Sequence, residues 1–316
     1  MLRNILQNLN IFLKQCFSIN NFDNHIETYF LGLKIRKKLP TPKIDLNIKE
    51  YGLTKEKRET KIILSLTSFP QRISIVPKTI KTLLKQTIKP DEVVLWLAEE
   101  QFPKKEEELP QELLELREYG LSIKWCNDIR SYKKLIPSLK EFPNDIIITF
   151  DDDIYYPNNV VELLYNEYLK NPNYIYANRV RRFYLKNDNF YSQSKAQMRW
   201  IKNTEPSFLN KITGCGGVLY PPNSLSEKVF DEIAFKEIIP TQDDVWFWAM
   251  AILKGTKIKE VAGFDIQLIT IEDSQKYGLS KINAKNNTGI DSLEASRKII
   301  KHYPQIIDTI KNDVVK

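Results

Sequence analysis

Ile146-Ile147-Ile148-Thr149-Phe150-Asp151-Asp152-Asp153 is the stretch on which the reading of this chain turns. An unbroken apolar run has no polar face to offer water, so it predicts a strand covered on both sides, as in a parallel sheet. The run ends in three carboxylates, and adjacent like charges repel. Alternation along an extended chain sends Asp151 and Asp153 to one side and Asp152 to the other. A divalent cation held by two of them would remove the repulsion. Mg²⁺ or Mn²⁺ takes oxygen ligands and commonly shares one or two carboxylates with substrate phosphates. The plainer reading is a solvated acidic turn that caps the next helix.

Working outward, Ile62–Leu66, Glu92–Leu97 and Leu121–Trp125 predict strands of the same kind. Between them lie three predicted helices: the apolar stripe Val76, Ile80, Leu83, Leu84 with Pro77 in its first turn, then Pro110–Tyr119, then Ser131–Phe142. Strands alternating with helices imply crossover units and a mainly parallel sheet. Ligands of such sheets sit outside the carboxyl ends of the strands. That rule puts Thr67–Arg72 and Asp151–Asp153 on one rim. Lys133 and Lys134 open a helix near it, where they either meet phosphate or stand solvated. Downstream, Val160–Lys170 predicts a helix, Tyr174–Ala177 a strand, and residues 186–207 a long polar and aromatic loop.

Two later stretches also carry candidate chemistry. In Pro240-Thr241-Gln242-Asp243-Asp244-Val245-Trp246-Phe247-Trp248, the stripe Val245, Trp248, Ala249, Ile252 predicts a buried helix starting near Thr241 and ending at Gly255. Thr241 with Asp244 resembles a capping box, and first-turn acids suit the helix dipole. Alternatively, one carboxylate at the mouth of the site deprotonates an acceptor hydroxyl. In Thr213-Gly214-Cys215-Gly216-Gly217-Val218 sit three of the ten glycines of the chain. They indicate close approach of backbone to a ligand, or a bulged strand.

The totals narrow the classes. With 316 residues, 42% hydrophobic and 28% charged, the chain has the composition of a globular α/β protein. A formal charge of +7 favours anionic partners. Apart from Arg179-Val-Arg181-Arg182-Phe183-Tyr184 no basic cluster is interleaved with aromatics, so nucleic acid is not expected. Three cysteines without a CxxC pair argue against a disulfide framework or structural zinc. Two histidines, His25 and His302, leave zinc hydrolysis and Ser-His-Asp catalysis without imidazoles, so the chemistry is expected to run on carboxylates. No stretch of about twenty apolar residues spans a bilayer, and no secretory signal opens the chain; a cytoplasmic location follows as the expectation. Leu2, Ile5, Leu6, Leu9, Phe12 and Leu13 recur at helical spacing before the basic run Lys34-Ile-Arg36-Lys37-Lys38. This segment either packs on the domain or rests on anionic lipid at the inner membrane surface.

The ordered set Leu64-Ser-Leu-Thr-Ser-Phe-Pro-Gln-Arg72, Gln86, Lys89-Pro-Asp91, Ser131-Tyr-Lys-Lys-Leu-Ile-Pro137, Asp151–Asp153, Thr213-Gly-Cys-Gly-Gly217 and Gln242-Asp-Asp244 resembles bacterial GT-A glycosyltransferases close to family 2, of the kind that build capsule and lipooligosaccharide. The likeness runs from about Lys61 to Val261. It implies an α/β, Rossmann-like, mostly parallel sheet flanked by helices, with small helical N- and C-terminal extensions. The chain is thus expected to divide into an N-terminal basic amphipathic extension over 1–58, read from its composition, a catalytic domain over 59–265 whose nucleotide-binding half runs to about 155, and a C-terminal loop and helices over 266–316.

By the same resemblance, Thr67, Ser68 and Arg72 border the nucleotide, with Lys133 and Lys134 on the donor side. Asp151 and Asp153 match the Asp-x-Asp motif for metal, Mn²⁺ or Mg²⁺, and diphosphate, and Asp152 lies near the donor ribose or sugar. Gly216, Gly217 and Trp246 belong to the acceptor side. Asp243 or Asp244 matches the late acidic motif whose carboxylate is the base of inverting members. That motif begins here with Gln242 where Glu is usual, which leaves the two aspartates open. No histidine matches the late metal ligand of some members; Asn286, Asn287 and Asp291 are the substitutes on offer. The expected reaction moves a sugar from a nucleotide-diphosphate donor, UDP-sugar first, to a hydroxyl of an oligosaccharide or lipid-linked glycan, with inversion. The rival readings are a phosphohydrolase acting on a phosphorylated sugar and an inactive glycan-binding form of the same fold.

Overall fold

The structure is a computed structural model that describes residues 17–22, 25–30, 33–38, 44–186, 189–192, 205–261, 268–277 and 291–314. Its first elements are β1 (Phe17–Phe22), β2 (His25–Phe30) and β3 (Leu33–Lys38), an antiparallel sheet in which Phe17 pairs with Phe30 and His25 with Lys38. The basic run of the sequence is therefore extended, consistent with its alternation of Leu33 and Ile35 with Lys34 and Arg36. The helical spacing of Leu2–Leu13 lies outside the described residues.

The predicted βα alternation follows. In order come β4 (Ile62–Thr67), α1 (Val76–Leu83), β5 (Glu92–Ala98), α2 (Gln111–Glu115), β6 (Leu121–Cys126), α3 (Ile136–Glu141) and β7 (Ile146–Thr149). After β8 (Ile154–Tyr155) and α4 (Val160–Lys170) come β9 (Ile175–Ala177), β10 (Val180–Lys186), β11 (Asn189–Ser192), β12 (Asn210–Ile212) and β13 (Val218–Tyr220). The chain continues through α5 (Glu232–Ile238), α6 (Asp243–Lys254), β14 (Ile258–Glu260), β15 (Ile269–Thr270), α7 (Ser292–His302) and α8 (Gln305–Val314).

Seven strands form one sheet in the order β14-β9-β13-β7-β4-β5-β6. Strands β7, β4, β5 and β6 run parallel, as do β14 and β9, while β13 is antiparallel to both neighbours. This is the mostly parallel α/β sheet expected. β7 sits in its interior with every side chain buried, as its isoleucine run requires. Ile146 and Ile148 face a core that includes α1 and α4, whereas Ile147 faces the opposite core, which includes α6 and the C-terminal helices α7 and α8. Two fully apolar faces are what an interior strand needs.

Three local expectations are corrected. The single helix over Ser131–Phe142 is a 3₁₀ turn, Arg130–Lys134, followed by α3. Pro137 lies in the first turn of α3, where its missing N–H costs nothing, so the helix starts anew there. The long loop predicted for residues 186–207 is in part a hairpin, with Phe183 opposite Ser192 and Lys186 opposite Asn189; residues 193–204 lie outside the described residues. Finally, α6 begins at Asp243 rather than Thr241 and Gln242 caps it without a side-chain bond, so the capping box does not form.

Helix α6 is almost wholly buried, with Val245 through Ala251 fully enclosed. It closes at Gly255 in the left-handed region (φ 85°), which a residue without Cβ adopts freely. Trp248 anchors it: the indole N–H donates to the Phe208 carbonyl at 2.7 Å and Phe183 packs edge-on at 5.3 Å. Trp248→Ala is expected to lower unfolding free energy by about 3–5 kcal/mol, measured by urea denaturation.

Candidate active site

The carboxyl end of β7 delivers the Asp triplet to the rim, but the three side chains do not divide as alternation predicts. The strand ends at Thr149, and in the turn beyond it Asp152 and Asp153 share Arg72 while Asp151 is alone on the other side. Asp152 turns inward. Its Oδ1 accepts from Arg72 Nη1 at 2.6 Å, its Oδ2 from Ser68 Oγ at 2.6 Å, and its carbonyl from Thr79 Oγ1 at 3.0 Å. Arg72 also reaches Asp153 Oδ2 at 3.0 Å and donates to the Ser274 carbonyl at 3.2 Å. The strand pair β8–β15 brings Ser274 there, with the Ile271 N–H on the Asp153 carbonyl at 2.8 Å. Burial opposes the charge on Arg72, but Asp152 and Asp153 outweigh it and raise its pKa. Asp152 and Asp153 are themselves raised, mainly by burial. Thr67, at the end of β4, donates to the Trp96 carbonyl at 2.8 Å.

Asp151 faces the other way, toward Lys134. The Lys134 ammonium lies 3.2 Å from Asp151 Oδ1, 2.8 Å from Asp243 Oδ2 and 3.7 Å from Asp244 Oδ1. One buried cation thus joins the end of β7 to the first turn of α6. Ser65 of β4 holds the Lys134 carbonyl at 2.7 Å, so the 3₁₀ turn is fixed to the sheet. Burial disfavours the ammonium, yet the three aspartates more than offset it and its pKa is raised well above the usual value. Asp243 shows the reverse balance: burial pushes it up, but Lys134 and the Ser131 hydroxyl at 2.8 Å prevail and hold it below the ordinary value. Asp151 is raised because burial, with Asp153, Asp244 and Asp243 nearby, exceeds the pull of Lys134.

Lys133, grouped with Lys134 in the sequence reading, turns away to Asp128 at 2.7 Å. The glycine turn packs directly on the cluster. A Cβ on Gly214 would lie 2.7 Å from Asp244 Oδ1 and 2.8 Å from Lys134 Nζ, and the Gly214 N–H donates to Asp244 Oδ2 at 2.9 Å. Gly216 lies against the Arg179 side chain, and Gly217 takes φ +88° against the Phe150 ring. Trp246, expected on the acceptor side, is instead a core residue: it is fully buried, donates to the Val229 carbonyl at 3.2 Å and packs on Phe235. Its place on α6 points it into the helical layer. Asp291 caps α7 through the Leu293 and Glu294 amides, both at 2.8 Å; Asn286 and Asn287 lie outside the described residues. Ser131, Ser274 and the Tyr156 hydroxyl, which accepts from the Asp151 N–H at 3.0 Å, were not foreseen. Only the Ser131-Tyr-Lys-Lys stretch carried a signal, and it pointed to the lysines.

Among the described residues no three acidic, histidine or cysteine side chains converge as a closed metal cage. A cation shared with a diphosphate needs only one or two carboxylates. Five carboxylates (Asp151, Asp152, Asp153, Asp243, Asp244) here face two paired cations, Arg72 and Lys134. The side chain of Asp151 is the most open of the triplet, 32% exposed against 6% and 7% for Asp152 and Asp153. Oxygen donors and an excess of negative charge fit Mn²⁺ or Mg²⁺ with Asp151 as the accessible ligand.

No family model matches the chain, and no curated protein matches it. Solved structures that resemble it include a mannosyltransferase, PcManGT, from Pyrobaculum calidifontis in complex with GDP-Man and Mn²⁺, at 8% identity and TM-score 0.48 over 82% of this chain and 68% of that one. TarS residues 1–349 from S. aureus is similar at 14% identity and TM-score 0.48, over 80% and 71% of the two chains. A cytidylyltransferase from Leptospira borgpetersenii serovar Hardjo-bovis is similar at 14% identity and TM-score 0.40, over 79% and 97%. The fold assignment rests on the sheet order itself. Among the described residues no helix is long and apolar enough to cross a membrane.

Removing Lys134 strands buried carboxylates, so Lys134→Met is expected to cost about 3–5 kcal/mol at pH 7. The sign of its pH dependence follows from Asp243. In the native chain the depressed pKa contributes stability above the ordinary carboxyl value of 3.8, which is lost as pH falls through the folded value. In the variant the pKa is raised instead, and stability is lost as pH rises. The deficit therefore shrinks on acidification toward pH 4, as urea titrations of both proteins at several pH values will show.

Proposed function

We propose that this chain is a GT-A-type glycosyltransferase that moves a sugar from a nucleoside diphosphate donor to an acceptor hydroxyl with inversion. The observation that carries the reading is the Lys134 ammonium shared by Asp151 and the pair Asp243 and Asp244. It sets a donor-side carboxylate beside a base at the distance of one side chain.

On this reading Asp151 and Asp153 hold Mn²⁺ or Mg²⁺, which when bound neutralises charge on the departing diphosphate. Arg72 orients Asp153 and locks Asp152 inward, so Asp152 serves the frame. Ser68 completes that lock. Thr67 borders the nucleotide at the end of β4, and Lys134 supplies a fixed positive charge where negative charge develops, already stripped of water.

Of the two late aspartates, Asp244 takes the role of base. Asp243 is committed through both oxygens, to Ser131 and to Lys134. Asp244 has one oxygen to spare: the Gly214 amide fixes its orientation through Oδ2, while Oδ1 is buried without a hydrogen-bond partner, 3.7 Å from Lys134. It can therefore accept the proton of an incoming hydroxyl as the acceptor oxygen attacks the anomeric carbon. Gly216 and Gly217 line the approach from the acceptor side. UDP is the first donor nucleotide to test, and a glycan hydroxyl the first acceptor.

Thermal stability is to be measured against nucleoside diphosphates with and without Mn²⁺. One nucleotide at about a hundredfold its Kd is expected to stabilise the chain by about 2.7 kcal/mol, with dependence on the metal and on Asp151. Asp244→Asn is expected to keep that shift and lose about 10²–10⁴-fold in transfer rate. A chain that no nucleotide stabilises would overturn the reading.

A further inference from the structure

Lys211 is a buried charged residue near this cluster that the reaction above leaves unused. It lies on β12, is 4% exposed, and its side chain makes no hydrogen bond or ion pair among the described residues. Its register partner across the β10–β12 ladder is Arg181, which likewise makes none among them. Residues directly opposite on antiparallel strands project to the same face, and like charges placed so repel. Two positions along β10, on that same face, Phe183 packs on Trp248 of α6. Trp248 and Asp244 are four apart and so share one face of that helix. The face bearing Lys211 and Arg181 is thereby turned toward Asp244.

We propose that Lys211 and Arg181 form a subsite for an oxyanion, phosphate or carboxylate, carried by the acceptor. An ammonium buried without a partner is costly, and a second cation placed beside it raises that cost. An oxyanion meets both, with the guanidinium gripping two oxygens and the ammonium a third. The acceptor is the source the geometry favours. The face that bears Lys211 and Arg181 is turned toward Asp244, the carboxylate assigned to the acceptor proton, and Asp244 is the first of the charges that act on Lys211. Burial lowers the Lys211 pKa as its largest influence, in keeping with a desolvated cation awaiting a counter-charge.

The assignment of the anion to an acceptor rests on the transferase reading, and the test separates the two. Inorganic phosphate is titrated calorimetrically into the full chain as wild type, Lys211→Met, Lys211→Arg and Asp151→Asn, with and without saturating UDP and Mn²⁺. Losing a charged hydrogen bond is expected to weaken phosphate binding by about tenfold or more in Lys211→Met. Lys211→Arg is expected to retain it, and Asp151→Asn and UDP to leave it unchanged. Lys211→Met is also expected to melt no lower than wild type, since an apolar side chain of similar length replaces an unpaired charge. Absent phosphate binding by wild type, equal binding by Lys211→Met, or a clear loss of stability in that variant would each overturn the subsite. Competition between phosphate and UDP would overturn its placement on the acceptor side. Phosphate binding at Lys211 in a chain that binds no nucleotide would uphold the subsite and sink the transferase reading.

Discussion

The site depends on one buried ammonium. Lys134 stands where the end of β7, the first turn of α6 and the Gly214 turn meet, and without it three acidic side chains would face one another uncompensated. A lysine fills this position where an arginine would not. Its compact head on a flexible stem can sit among three carboxylates that do not lie in one plane, whereas the guanidinium fork suits a single planar partner. Arg72, on the other side of the triplet, gives Nη1 to Asp152 and Nη2 to Asp153. The two cations thus partition the acidic triplet between a structural half and an open half.

Much of this was legible in the sequence, for reasons that differ by region. The strands β4 to β7 and the helix Val160–Lys170 follow from hydrophobic periodicity, because burial on two faces or one leaves an unambiguous pattern. The helix break after Lys134 was signalled by Pro137, but a helical stripe continuing past it hid the signal. The β10–β11 hairpin left little signal because its aromatic residues come as adjacent pairs, Phe183-Tyr184 and Phe190-Tyr191, without a period of two. Its decisive contact, Phe183 on Trp248, is long-range and leaves no local trace.

For the site, the rim carrying the Asp triplet was readable from a carboxylate cluster ending an apolar strand. The partners of those carboxylates were not. Lys133 and Lys134 are adjacent and chemically identical, and only the turn decides that one faces Asp128 and the other the cluster. Likewise Trp246 and Asp244 sit two apart on a helix, which places them about 200° apart around its axis. One goes to the core and the other to the site. Neighbouring residues in a motif need not share a destination.

Arg72 reaches across 202 residues to the Ser274 carbonyl, and the Ile271 amide closes on Asp153 beside it. All seven strands of the main sheet lie earlier in the chain than this segment, the last of them ending at Glu260. During synthesis, which proceeds from the N-terminus, the whole sheet has therefore been made before the piece that covers Asp153 exists. The scaffold and the rim are completed in that order, and of the acidic triplet it is Asp153 whose cover is made last.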